Sequence, residues 1–494
     1  MKDEKLLTLP IGVQTFEILK RANQLYVDKT ERLQELAMTS GRCFLARPRR
    51  FGKSLTLSTL DAMFSGKVEL FKGLAAEAWV KEQAKSPAPV LRFDMSGLRA
   101  YSSPEMFNLS IVSGLEDFAG RHGLTLRHED SCDGMLIQTI YALYDRGGPV
   151  VALIDEYDKP ILDYIGDLKM AEAMRAVLRS FYTVLKSCDE YLRFVMLTGI
   201  SKFTKTGVFS AMNNLNDISM DEAYGDIVGY TQLELEENFS DWIDATAKKS
   251  KLKREKLLKQ MKDYYDGFCF DGITKLYNPH SVLNFFSKKD FANYWYESGS
   301  PSFIAIYMKQ HEIQDPEEYA HLEVAKGFAD AHEIEHTTPE SFLYQSGYLA
   351  IEEKLEDSVV LNYPNYEVRK SILRMYLDQV YKVKNFVALG TKLWEALSDG
   401  DLEETVNLYN TALSGIPYSD FTKQDESLYR SLFLMLLRGA GVRVHGEVPT
   451  NLGRSDVLVY FPERVIVLEL KLARKKSEIG RLRKEGMKQI EAKG

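Results

Sequence analysis

Residues 149–156, Pro-Val-Val-Ala-Leu-Ile-Asp-Glu, set an unbroken apolar run directly before two carboxylates. Such a run, rich in Val, Leu and Ile, suits a strand buried on both faces, and strands of that kind belong to parallel sheets covered by helices. Three further runs, CFLA (43–46), VLRFDM (90–95) and RFVMLTG (193–199), alternate with helical stretches across residues 40–232. The alternation predicts an α/β fold with a parallel sheet over that part of the chain. Strand 150–155 would then present Asp155 to a Mg²⁺ ion and Glu156 to an attacking water, as the acidic strand of a nucleotide hydrolase does.

The first strand runs into Arg47-Pro48-Arg49-Arg50-Phe51-Gly52-Lys53-Ser54, followed by the helical stretch LTLSTLDAMF. A phosphate-binding loop needs a tight turn with inward N–H groups, a lysine for the β/γ-phosphates and a hydroxyl for Mg²⁺. Gly52, Lys53 and Ser54 supply the second half at a helix N-terminus, where the dipole favours anions. Arg47 holds the place of the first glycine, so the match to GxxxxGK[ST] is partial. Arg49, Arg50 and Phe51 complete the candidate loop. Thr198, at the end of the fourth strand, is placed to sense the γ-phosphate if that strand lies between the other two. A plain α/β domain with a chance GKS is the competing reading.

At the other end, Asp456 and Glu469-Leu470-Lys471 flank two β-rich runs, DVLVYF (456–461) and RVIVLELK (464–471), around Pro462-Glu463. In a hairpin centred on that turn, Asp456 faces Glu469 across the strands, and Lys471 shares Glu469's face. Two carboxylates and an ammonium on one edge suit a divalent metal with a lysine beside the attacking water. An ordinary cross-strand ion pair is the alternative, and a one-residue bulge would break the register. From Lys471 to Gly494, nine Lys or Arg stand against three Glu, either a phosphate-facing patch or a solvated helix face.

The length of 494 residues suits about three domains. A net charge of −8 argues against a chain that coats nucleic acid along its whole surface. The four cysteines form no CxxC pair, which points away from a zinc ribbon or a disulfide framework. No apolar run reaches the ~18 residues of a membrane helix, and the N-terminus lacks a signal peptide's core, so a cytoplasmic location is the default expectation. Residues 234–440 read as mostly helical and rich in Tyr and Phe, with FLYQSGYLAIEE as a turn into a strand; strands return after Gly441. His332-Glu333-Ile334-Glu335-His336 satisfies HExxH, but Thr337-Thr338-Pro339 would end any helix there, and the match is taken as chance.

In this order the motifs resemble a bacterial and archaeal family that fuses an AAA-like ATPase to a C-terminal PD-(D/E)XK nuclease-like domain. The resemblance rests on Tyr26-Val27-Asp28-Lys29-Thr30, RPRRFGKS with its missing glycine, and Asp155-Glu156-Tyr157-Asp158-Lys159-Pro160. It continues through Thr198–Lys202, Phe209-Ser210, Asn213-Asn214-Leu215, Tyr265–Phe268, Tyr277-Asn278-Pro279, Gly347-Tyr348-Leu349, Gly453–Asp456 and Glu469–Lys471. It implies an ATPase domain over 1–232, a mostly helical lid over 233–370, and a connector plus nuclease-like domain over 371–494. It implies ATP and Mg²⁺, with Ser54 and Asp155 as metal ligands at the first site and Asp456 and Glu469 at the second. Lys471 would position the hydrolytic water, Glu426 in Glu426-Ser427-Leu428-Tyr429 would join the acids, with Glu447 as a second candidate, and Gln489 would be the glutamine of the following helix. Arg430 stands where the family tends to carry a histidine, and the chain ends at Gly494, where the nuclease fold usually continues into another strand, so either a shortened chain or an incomplete domain is expected. The implied function is an ATPase that gates a nuclease acting on DNA or RNA, with self-association through the ATPase part. A nucleotide-switched binding protein with an inactive nuclease module, and an ATPase motor acting on protein, are the alternatives.

Overall fold

In the computed structural model the described residues are 6–39, 41–202, 215–297, 302–311, 313, 315–330, 337–414, 416, 426–440, 442, 444–450, 453–461 and 463–493. Phe209, Ser210, Asn213, Asn214 and the HExxH residues 332–336 lie outside them. The chain packs into two compact units, one of residues 1–303 and 321–366, the other of residues 304–320 and 367–494.

The first unit is built on a five-stranded parallel sheet: β1 (Arg42–Ala46), β2 (Val90–Asp94), β3 (Val150–Asp155), β4 (Leu192–Gly199) and β5 (Asn216–Asp217), in the order β2-β3-β4-β1-β5. Every residue of β3 is buried, as its apolar run requires. β4 does lie between β3 and β1, with Phe44 level with Leu197 and Ile154 level with Leu197. The ends of all three strands therefore share one edge, where the helix Lys53–Phe64 begins.

Residues 233–297 are mostly helical and pack an apolar cluster around Phe239, Tyr265, Phe285 and Phe286. The stretch expected to be mostly helical also holds a two-stranded ribbon, β6 (Phe268–Cys269) with β7 (Lys275–Leu276). A three-stranded antiparallel sheet follows, β8 (Leu322–Ala325), β9 (Ala350–Lys354) and β10 (Ser358–Asn362), in the order β8-β10-β9. These strands have two to five residues, too short for their alternation to stand out against helical periodicity. Pro339 starts the helix Pro339–Gln345, with Thr338 as its cap; proline is tolerated at a first turn because that N–H is unbonded in any case. The stretch read as a turn into a strand therefore opens on helix before the turn at Gly347 and β9.

The second unit holds the helices Tyr366–Met375, Phe386–Asp399, Leu402–Ser414, Glu426–Gly439 and Ile479–Lys493, and the antiparallel sheet β11 (Val444–Thr450), β12 (Gly453–Tyr460), β13 (Val465–Leu468). Segment 304–320 belongs to it through Glu317, which pairs with Arg369 and, at 2.7 Å, with Arg438, and through the Ile313 carbonyl, which accepts from Tyr376 Oη at 3.1 Å. No described helix is long and apolar enough to cross a membrane.

Candidate functional site

β1 passes into the loop without a break: Arg47 N–H donates to the Gly199 carbonyl at 3.1 Å, one step beyond the β1–β4 ladder. The chain then turns sharply, with Arg50 at φ +68° and Gly52 at φ +97°. Gly52 needs that left-handed backbone, and a Cβ there would meet nothing within 4 Å, so the turn faces open space. The helix follows at Lys53, and its first-turn N–H groups have no carbonyl of their own to bond.

The open space is a cavity of about 500 Å³. Arg49, Arg50, Gly52, Lys53 and Ser54 line it from the loop, and Glu156 and Lys159 from the end of β3. Its far wall comes from His280, Leu283, Trp295, Ser346 and Tyr348, none singled out by spacing alone. Three of them, His280, Ser346 and Tyr348, adjoin or belong to the segments Tyr277-Asn278-Pro279 and Gly347-Tyr348-Leu349, which were the available signal.

Lys53 is buried, and its Nζ donates to the carbonyls of Arg47 (2.8 Å) and Pro48 (3.0 Å). Burial holds its pKa below that of an ordinary lysine, against the pull of Asp155, Glu156 and Asp158. Asp155 Oδ1 accepts from Thr198 Oγ1 at 2.6 Å and from the N–H of Glu156 at 3.0 Å, which fixes the carboxylate's orientation. Glu156 has φ +48°, and burial raises its pKa although Lys53 opposes the shift. Asp155 and Thr198 close the ends of two neighbouring strands, β3 and β4, and Ser54 lines the cavity from the first turn of the helix Lys53–Phe64.

Behind them Asp158 fastens the switch from β4 to its following loop. Its Oδ2 accepts from the N–H of Ile200 (3.0 Å) and from the N–H (2.7 Å) and Oγ (2.6 Å) of Ser201. Tyr157 Oη donates to the Ser201 carbonyl at 2.8 Å, and its ring covers Gly199 so closely that a Cβ there would come within 2.5 Å of it.

Four expected nucleotide contacts do not line the cavity: Asp155 and Thr198 are buried and hydrogen-bonded to each other, and Arg47 and Phe51 are placed elsewhere. The Arg47 guanidinium does not line the cavity: it is buried, donates to the carbonyls of Ala46 (3.0 Å) and Ser219 (2.5 Å), and lies 4.4 Å from the centre of the Phe270 ring. Burial pulls its pKa down to about 10. Phe51 is likewise a core residue, edge-on to Phe268 at 4.9 Å and to Phe270 at 5.5 Å. Trp295 completes the anchoring, its Nε1–H donating to the Arg49 carbonyl at 3.1 Å. Arg47 and Phe51 therefore hold the loop's shape, and Arg49 and Arg50 face the cavity.

In the second unit the hairpin register is Val457↔Leu468, Leu458↔Val467, Val459↔Ile466 and Tyr460↔Val465. These four pairs keep the register that the spacing predicts; β13 ends at Leu468, one residue before Glu469. Asp456 Oδ2 accepts from the N–H of Leu470 at 3.0 Å. Lys471 Nζ lies 3.2 Å from Glu426 Oε1 and 3.3 Å from Glu469 Oε1. Burial lowers the Lys471 pKa, but the two glutamates outweigh it and hold the ammonium above the ordinary lysine value. Gln489 lies on the helix Ile479–Lys493, whose Gly486 packs beside Lys471 and Glu469; a Cβ there would make ordinary contact, 3.7 Å from Lys471 Cγ. Gln489 Oε1 is buried with no hydrogen-bond partner among the described residues. The side chain of Glu447 lies outside those described.

These oxygens have the chemistry of a hard-cation site, but the arrangement does not gather them as one. Among the described residues no three His, Cys, Asp or Glu side chains lie together as a metal set. Lys471 bridges Glu426 and Glu469, and Arg430 Nη1 stands 3.2 Å from Asp456 Oδ1. Each of these acids thus has a cation beside it: Arg430 at Asp456, and Lys471 at Glu426 and Glu469.

Residues 10–209 match the family model described as "Predicted AAA-ATPase", and residues 424–494 match the PD-(D/E)XK nuclease superfamily. A protein of Azotobacter chroococcum mcd 1, described as "Uncharacterized protein in vnfD 5'region", is 32% identical over 480 residues, covering 94% of this chain and 89% of that protein. The chain belongs to this AAA-ATPase-like family. Among solved structures, the AAA-ATPase-like chain is similar to Cdc6p of Pyrobaculum aerophilum (12% identity, 69% of this chain and 92% of that one, TM-score 0.30). It is also similar to the ORC2 protein of Aeropyrum pernix (11% identity, 90% of each chain, TM-score 0.31). The AAA-ATPase-like protein thus carries an ATPase-like domain and, at its C-terminal end, a nuclease-superfamily domain.

Proposed function

We propose that this AAA-ATPase-like protein binds and hydrolyses ATP in the cavity around Lys53, and that turnover gates the action of its C-terminal domain on DNA or RNA. What supports the first part is the convergence of Lys53, Arg49, Arg50, Ser54 and Glu156 on one cavity at the edge of a parallel sheet. The cations and the first-turn N–H groups match a polyphosphate. Ser54 and Asp155 would hold Mg²⁺, which when bound neutralises charge on the phosphate oxygens. Glu156, its basicity raised by burial, would orient the attacking water, while Thr198 keeps Asp155 in its rotamer. Residues 233–370 would serve as the lid whose closure carries the signal to the C-terminal domain.

The test is nucleotide binding and turnover on three proteins. Lys53→Ala should lose tight ATP binding, and Glu156→Gln should bind ATP without hydrolysing it. Equal ATP affinity in Lys53→Ala and wild type refutes the assignment. Cleavage of single- and double-stranded DNA and RNA with Mg²⁺ or Mn²⁺, with and without ATP, tests the second part against Asp456→Ala. Self-association belongs to the same proposal and is read by sedimentation with and without ATP. A second reading, a nucleotide-switched nucleic-acid-binding protein without cleavage, is favoured by the Arg430–Asp456 ion pair. Nucleic-acid binding with no cleavage above Asp456→Ala under any metal selects it.

A further inference from the structure

The C-terminal site carries three carboxylates, Glu426, Asp456 and Glu469, against two cations, Arg430 and Lys471. Both oxygens of Asp456 are taken, Oδ1 by Arg430 and Oδ2 by the Leu470 N–H, and the ion pair is largely buried, the two side chains being 16% and 13% exposed. A divalent cation at Asp456 has to displace a guanidinium in a poorly solvated place, where that guanidinium is costly to leave unpaired. Gln489 Oε1, on the helix whose Gly486 lies beside Lys471 and Glu469, is buried without a hydrogen-bond partner among the described residues. The helix Ile479–Lys493 and the segment before it carry Arg474, Lys475, Lys476, Arg481, Arg483, Lys484 and Lys488, all exposed. That is a polyanion-facing charge distribution packed against the acids.

We propose that Arg430 is a latch on this site: it occupies Asp456 while no nucleic acid is bound, and transfers to a backbone phosphate when one arrives, leaving Asp456 to take a divalent cation. A guanidinium pairs with a phosphodiester as well as with a carboxylate, so the exchange leaves neither partner bare. Nucleic acid and metal then bind with positive coupling, and by linkage each raises the other's affinity by the same factor. The latch rests on the proposed nucleic-acid reading of the C-terminal domain.

The experiment measures Mn²⁺ binding to the full chain, without nucleotide, by electron paramagnetic resonance, with Asp456→Asn as the blank for this site. Wild type should bind Mn²⁺ weakly, and Arg430→Met should bind it at least about tenfold more tightly, the change that corresponds to about 1.4 kcal/mol. Adding Asp456→Asn to Arg430→Met should remove the gain. A phosphorothioate oligonucleotide should tighten Mn²⁺ on wild type by a similar factor and leave Arg430→Met unchanged, whereas inorganic phosphate alone should do less than the oligonucleotide. Arg430→Lys, which keeps the charge, should stay near wild type, and circular dichroism confirms that each variant is folded. Equal Mn²⁺ affinity in folded Arg430→Met and wild type overturns the latch while an effect of Asp456→Asn keeps the metal site. Binding that Asp456→Asn never changes overturns the metal site itself. An oligonucleotide that leaves Mn²⁺ affinity unchanged overturns the phosphate transfer.

Discussion

Arg47→Gly restores the strict glycine pattern of the phosphate loop, and the structure says that it should damage the loop. The guanidinium sits 4.4 Å from the Phe270 ring centre in a buried place, a contact worth about 2 kcal/mol when desolvated. Its bonds to the carbonyls of Ala46 and Ser219 are charge-assisted, together about 3 kcal/mol. A glycine adds about 1 kcal/mol of lost backbone entropy. Against this gross loss of about 6 kcal/mol stands relief from burying a charge. Burial, which also pulls the pKa down, makes a buried cation costly, and removing it relieves about 3 kcal/mol. The net is a destabilisation of about 3 kcal/mol, or about 1 M in urea midpoint. Arg47→Met keeps the volume without the charge and should stay within about 1 kcal/mol of wild type. ATP affinity, followed with a fluorescent nucleotide, should fall in Arg47→Gly, because the Arg47 carbonyl that holds Lys53 at 2.8 Å is no longer fixed. An Arg47→Gly protein that binds ATP more tightly at an unchanged urea midpoint would refute the reasoning.

Asp158→Ala leaves the buried N–H groups of Ile200 and Ser201 without their acceptor; urea unfolding should show a loss of about 3 kcal/mol, and ATP turnover should fall as Thr198 loses its placement. Trp295→Phe removes one hydrogen bond to the Arg49 carbonyl, and calorimetry should show a cost of about 1 kcal/mol with weaker nucleotide binding. His280 is held down to about 4, chiefly by burial and then by Arg50, so between about 4 and its ordinary 6.5 the unfolded chain binds the extra proton. Its contribution to stability therefore rises with pH across that window and is level above it, and His280→Gln should flatten the slope in urea titrations at pH 4.5 and 6.5. An unchanged slope in that variant would assign the dependence to another group.

The first sheet was legible because burial on both faces leaves a mark that no surface can imitate: an apolar run such as Val150–Ile154 has few other uses. The C-terminal hairpin was legible for a different reason, since a two-residue turn sets every pair in the register, and Val457↔Leu468 follows from it. Spacing cannot say which way a long side chain turns. Arg47 and Arg49 are two residues apart in the same basic loop, yet one enters the core beside Phe270 and the other lines the cavity. The ion pair of Arg430 with Asp456 joins a helix to a strand 26 residues on, and only packing decides it. His280 and Trp295 reach the cavity from a part of the chain whose local pattern records helix burial alone.

The chain enters the second unit at residue 304, leaves it after 320, and returns at 367. Glu317 in that excursion supplies the carboxylate that Arg369 and Arg438 both use, and Ile313 supplies an acceptor for Tyr376. A gene fragment cut at residue 367 would thus encode two arginines and a buried tyrosine without their partners. Along the chain the second unit is thus discontinuous, its segment 304–320 lying between two stretches of the first. During synthesis, segment 304–320 emerges long before the helices that complete its surroundings, so the second unit finishes folding only after the first unit's last strand has been made.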